Sequence, residues 1–157
     1  MKLFRKETNY AVRALVRLAQ MNIARKIQEE SGFLPPQTQQ KRQATDFVST
    51  SQLAKDTGIP KMSLRGIVTK LVSAGILMST DGYAGGMAFA LSPGKITVHD
   101  IILALHGELI ICDTDHDKEL CSNYETCVIR KKIMKIENII KTEFHKITIQ
   151  SLVIEMT

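Results

Sequence analysis

The sequence predicts a mainly α fold with one small β-hairpin and a long helix late in the chain. Three observations predict it: apolar residues recur at three- and four-residue spacing through most of the chain, two such segments meet at a glycine, and two short strand-like runs follow directly. The 157 residues suffice for one globular domain, or for a small domain plus an interaction element. Aromatic residues make up 5% and Trp is absent, which suits a core of Ile, Leu, Val and Ala and argues against a large aromatic-rich pocket.

A first amphipathic helix is expected from Thr8, with Ala11, Ala14, Leu15, Leu18 and Ile23 inward and Arg13, Arg17 and Gln20 on its polar face. The stretch "EESGFLPPQTQQKRQATD", about residues 29–46, contains Pro35-Pro36 and reads as a mobile loop or insertion.

In "VSTSQLAKDTGIPKMSLRGIVTKLVSAGIL", Ser49 with Gln52 marks a capping-box start, Leu53 and Ala54 face inward, and Gly58 suits a left-handed turn. Ile59 can plug the corner, and Pro60 suits the start of the next helix. There Leu64, Ile67, Val68, Leu71 and Val72 form one stripe, and Gly75 ends it. This is a helix-turn-helix pattern. "ILMST", "DGYAGG" and "MAFAL" then read as a hairpin, placed as a wing.

Thr97 with Asp100 caps a further helix carrying Val98, Ile101, Ile102 and Leu105, which ends at His106-Gly107. From about Asn123 a helix of roughly six turns carries Ile129, Ile133, Ile136, Ile140 and Phe144, a stripe expected to pack on a second copy. The segment "TIQSLV" is expected to fold back and finish that interface. The domain division is 1–95, a winged helix-turn-helix with its insertion, and 96–157, the cysteine-bearing loop and dimerisation helix.

A net charge of +5 and a pI of about 9.2 favour a polyanionic partner. No apolar run approaches the roughly 20 residues that span a bilayer, and "MKLFRKETNY" lacks a signal-peptide core, so a cytoplasmic protein with no membrane partner is expected. With no glycine-rich phosphate loop, nucleophile–base pair or framed pair of carboxylates, neither an enzyme nor a small-molecule substrate is expected.

A helix-turn-helix lays its second helix in the major groove of double-stranded DNA. Lys61, Ser63, Arg65, Thr69 and Lys70 lie on or near the face left by the apolar stripe. Arg65 is the candidate base reader, through two hydrogen bonds to guanine, and Lys61, Ser63 and Lys70 are candidate phosphate contacts. The wing tip carries no Arg or Lys, so contact there would fall to backbone amides or Tyr83.

All three cysteines, Cys112, Cys121 and Cys127, lie in "CDTDHDKELCSNYETC", among acids and amides that make poor core. An odd number in a reducing compartment points to a metal centre or a thiol switch. Thiolates suit zinc or an iron–sulfur cluster, and Cys127 at a helix start sits where partial positive charge favours an anionic ligand.

"YAVRAL", "STSQLAKDTGIP", "ILMSTDGYAGGMAFALS", "KITVHDIILALHG" and the three-cysteine loop before a long helix together resemble the IscR/NsrR-type family of bacterial winged-helix regulators. The resemblance covers nearly the whole chain except Ile23 to Asp46, which is longer than the family's usual connection. It implies a homodimer that binds an operator and holds one iron–sulfur cluster per subunit, 2Fe-2S or 4Fe-4S, on Cys112, Cys121 and Cys127. Cluster state would switch DNA affinity in response to iron, oxidants or nitric oxide. Some relatives take a fourth ligand from a His three residues after the last cysteine, where this chain has Arg130. Others borrow an acidic residue from the partner's first helix, near Asn9 here; Glu7 or Asn9 is the first expectation, His106 or His116 the second. The alternatives are a cluster-free regulator using zinc, thiol oxidation or a protein partner, and a small redox or electron-transfer protein.

Overall fold

The computed structural model describes residues 4–30, 47–80, 86–111 and 126–156. Helix α1 (Lys6–Glu30) is followed by α2 (Thr50–Thr57) and α3 (Lys61–Ser73). Strands β1 (Leu77–Thr80) and β2 (Gly86–Phe89), a 3-10 turn at Pro93–Lys95, and helices α4 (Val98–His106), α5 (Val128–Lys146) and α6 (Ile149–Glu155) complete the described chain. This is the expected mainly helical architecture with one two-stranded hairpin.

Local chemistry explains each boundary of the helix-turn-helix. Ser49, extended at φ −68° and ψ 144°, accepts the Gln52 N–H on its hydroxyl and starts α2. Gly58 takes the left-handed conformation at φ 67°, which a Cβ would oppose. Thr57 strengthens the turn, its hydroxyl donating to Leu53 O and accepting from Ile59 N–H. Ile59 fills the corner as expected, and Leu64, Ile67 and Leu71 are buried along α3 while Val68 and Val72 sit at the core edge.

Strands β1 and β2 pair antiparallel from Leu77 opposite Phe89 to Thr80 opposite Gly86. Val48 exchanges both backbone hydrogen bonds with Met87 at 2.9 Å, so this single residue, two positions ahead of α2, extends the hairpin on its other edge. The loop tip, including Tyr83, lies outside the described residues, as does most of the 29–46 insertion.

Several expectations are corrected. Helix α1 starts at Lys6 and runs 25 residues, so Glu29 and Glu30 belong to it rather than to a loop. Ile23 is half exposed, beyond the reach of the core that buries Ala11, Ala14, Leu15 and Leu18. The stripe of α5 divides. Ile140 and Phe144 pack against Val98, Ile102 and Leu109 of the same chain, whereas Ile129 and Ile136 are exposed. Helix α6 also belongs to the chain's own core, with Ile149 and Val153 buried among α1 residues. Its entry is tied down by hydrogen bonds of 2.9 Å from Val98 N–H to Ile147 O and from Ile149 N–H to Ile96 O, after which Thr148 and Ser151 form a capping box.

Candidate nucleic-acid interface and cysteine site

Two arginines of α1 set the helix-turn-helix. Arg13 Nη2 donates to Thr57 O at 2.7 Å, and Arg17 pairs with Asp56 at 3.2 Å. Both bonds reach the last turn of α2, where unpaired carbonyls and the negative end of the helix dipole welcome a cation. Periodicity assigned these side chains to a polar face but carried no sign of the neighbour they meet.

The turn delivers α3 with Lys61, Met62, Ser63, Arg65, Gly66 and Thr69 exposed. At 100° per residue, Arg65 and Thr69 stand opposite the Leu64–Ile67–Leu71 stripe, Lys61 sits beside them at the helix start, and Ser63 and Lys70 lie on one flank. Thr69 Oγ1 donates to Arg65 O at 3.0 Å. Lys70 departs from the expected phosphate role: its Nζ donates to Leu105 O at 3.2 Å and lies 3.6 Å from Glu7. The ammonium thus faces the C-terminus of α4 and the start of α1, away from Arg65.

Glu7, Thr8, Lys70 and His106 form one cluster where α1, α3 and α4 converge. Thr8 is fully buried, and its hydroxyl lies 3.0 Å from His106 Nε2; the imidazole's Nδ1 is 3.8 Å from Glu7. Burial, with Arg5 second, holds the His106 pKa below the ordinary value, which favours the neutral ring. Glu7 and His106, two of the candidate fourth ligands, are therefore brought together within one chain. Asn9 points outward from the same helix turn, and His116 lies outside the described residues. Thr8 was read only as a helix start, and an isolated Thr gives no signal that its hydroxyl will be buried against a His 98 positions away.

Of the cysteines, Cys127 is described and Cys112 and Cys121 are not. Cys127 is the N-cap of α5, partly exposed, its Sγ accepting the Arg130 N–H at 3.5 Å. The other end of the three-cysteine segment is tied to the same helix, since Ile111 N–H donates to the Glu137 carboxylate at 3.0 Å. Lys141 at 2.9 Å holds that carboxylate in place, and its hydrogen bond, followed by the one from Ile111, keeps the Glu137 pKa below the usual carboxylate range. Cys127 and Glu137 are separated by about 15 Å of helix axis. The described residues that flank the three-cysteine segment, Ile111 and Cys127, are thus both fixed on α5. Among the described residues no group of three or more His, Cys, Asp and Glu side chains converges on a metal position.

Comparison with known proteins agrees with this arrangement. Residues 38–155 match the model of the Rrf2 family, described as iron-dependent transcriptional regulator. A protein of Aquifex aeolicus (strain VF5), described as an HTH-type transcriptional regulator, is 28% identical over 111 residues, 68% of this chain and 76% of its own. Among solved structures, IscR of T. potens superposes with a TM-score of 0.62 at 23% identity, covering 98% of this chain and 87% of that one. CymR, the global cysteine regulator of B. subtilis, superposes at 0.60 with 18% identity, over 98% and 97% of the two chains. With a helix-turn-helix, a hairpin wing and the family's pattern over most of its length, the chain belongs to the Rrf2 family and is a winged-helix transcriptional regulator.

Proposed function

We propose that the chain acts as a homodimer whose affinity for an operator is switched by an iron–sulfur cluster held on Cys112, Cys121 and Cys127. The observation that carries this reading is the attachment of both ends of the three-cysteine segment to α5, Cys127 as its cap and Ile111 through Glu137. The donor chemistry fits: Cys127 is a partly exposed thiol at a helix start, a favourable place for an anionic sulfur ligand. When bound, the cluster supplies a redox-active centre sensitive to oxidants and nitric oxide.

The protein's own residues connect that site to DNA. Helix α5 receives both ends of the loop and packs on α4 through Ile140 and Phe144. Helix α4 ends at Leu105 and His106, which Lys70 of α3 and Thr8 of α1 hold. Any rearrangement of the loop that moves α4 thus bears on the orientation of α3 and the placement of Arg65. The outward side of α5, with Ile129, Ile136 and Ile139 about half exposed or more, supports a second copy as its partner. Glu7 or Asn9 of that copy, or His106 or His116, completes the ligand set. Among the described residues no helix is long and apolar enough to cross a membrane.

Anaerobic purification followed by visible absorption, iron and acid-labile sulfide analysis, and titration of DNA with the loaded and stripped forms tests the reading. Charge-transfer bands with matched iron and sulfide, and a changed affinity on stripping, are expected. A colourless protein that takes up no iron on anaerobic reconstitution overturns the cluster, and would leave zinc, thiol chemistry or a protein partner as the sensor.

A further inference from the structure

Three features of the outer face of α3 are not explained by packing within the chain. Gly66 occupies a helix interior, where glycine is the least favourable residue after proline, yet a Cβ built there meets no atom within 4 Å. Its φ is not positive, so no backbone conformation demands it either. Met62, one turn earlier on the same face, is 78% exposed, the most of any large apolar side chain among the described residues. Of the side chains one turn later, Lys70 is turned away by its bond to Leu105 O and Thr69 leans back onto Arg65 O, and neither comes within 4 Å of a Cβ at Gly66.

We infer that Met62 and Gly66 form an apolar notch that receives the C5-methyl group of a thymine in the major groove. This rests on α3 being the helix that enters the groove. Thymine alone presents a methyl at the groove edge, and an apolar side chain is its natural partner. Glycine lets that edge approach the helix backbone more closely than any side chain would. The unbranched thioether of Met62 adapts to the contact without a polar group to satisfy. Arg65 adjoins Gly66, so the face couples a methyl contact to a neighbouring guanine contact, and the preferred site carries both bases side by side.

The test uses the native full chain to select duplexes from a randomised pool, then replaces each thymine of the selected site by deoxyuridine, which removes only the methyl. At one thymine per half-site the replacement weakens binding roughly fourfold, the worth of one buried methyl group. Met62→Ala, present in both protomers of the proposed homodimer, loses about that factor at each half-site of the thymine duplex and shows no further loss when both thymines are deoxyuridine. Gly66→Ala melts roughly 2–4 °C higher than the native chain yet binds about tenfold or more weakly, because the added Cβ fills the notch. A Met62→Ala chain that keeps the full thymine preference, or a Gly66→Ala chain that binds as tightly as the native one, overturns the notch. If Arg65→Ala also binds the selected duplex normally, the reading of α3 as the groove helix falls together with the notch; if Arg65→Ala loses binding, only the notch does.

Discussion

The imidazoles of His99 and His145 stack with centroids 3.9 Å apart and planes 21° from parallel, joining the first turn of α4 to the last turn of α5. His99 Nδ1 is buried and has no hydrogen-bond partner among the described residues, so a proton there would have nothing to bond.

Burial first, and His145 second, hold the His99 pKa below its ordinary value, with Lys141 adding to them and Asp100 and Glu108 opposing. Between the folded and unfolded pKa values the unfolded chain binds more protons at His99, so stability rises with pH in that window. The contribution is complete above the ordinary value of 6.5 and is lost as pH falls below it through the folded pKa. His99→Phe keeps a ring for His145 and removes the titration. Melting temperatures across this range should fall less steeply with acid in the variant, the residual slope including His106; superimposable slopes would exclude His99 as a contributor.

Arg65→Ala should cost about 1–3 kcal/mol of specific DNA binding and relax preference at one base position. Lys61→Ala should weaken all sequences alike and reduce the salt slope by about one. Lys70→Ala should leave the salt slope unchanged, because its ammonium is engaged at Leu105 O. Titrations at several salt concentrations separate the three, and a reduced slope for Lys70→Ala would return it to the phosphate contacts.

Cys127→Ala removes a proposed cluster ligand together with the cap of α5. Loss of bound iron and sulfide is expected, with a folded dimer remaining and at most about 1 kcal/mol lost at the helix start. Cys121→Ala should give the same loss of cluster without the capping cost. Full loading of either variant would contradict the ligand assignment.

Gly86→Ala probes the joint between Val48 and the hairpin. A Cβ at Gly86 would lie 2.7 Å from Val48 O, a backbone atom that cannot swing aside. Destabilisation of about 1–3 kcal/mol in urea unfolding is expected. No change would show that the Val48–Met87 bridge is dispensable.

Much of the fold was legible because its signals are local. Gly58, Pro60 and Gly75 are read by backbone conformation alone, and Thr97 with Asp100 by the reach of two short side chains. The helix-turn-helix and hairpin motifs and their resemblance likewise pointed to the regulator class that the family match supports. Less legible were contacts between residues far apart in the chain. Arg13 and Arg17 looked like solvated charges until the end of α2 met them, and Lys70 looked like a phosphate contact until α4 took its ammonium.

By itself, then, the sequence determined the caps and turn of the helix-turn-helix, the capped start of α4, which face of each helix is apolar, and that three thiols share one short segment, since all of these follow from neighbours within about one helical turn or from composition. Tertiary structure alone decided what each face meets. It directed Ile140 and Phe144 inward but Ile129 and Ile136 outward, buried Thr8 against His106, and left Met62 and Gly66 bare on α3. Periodicity records that a face avoids water, not which surface removes the water from it; only the three-dimensional packing of α1, α3, α4 and α5 supplies that partner.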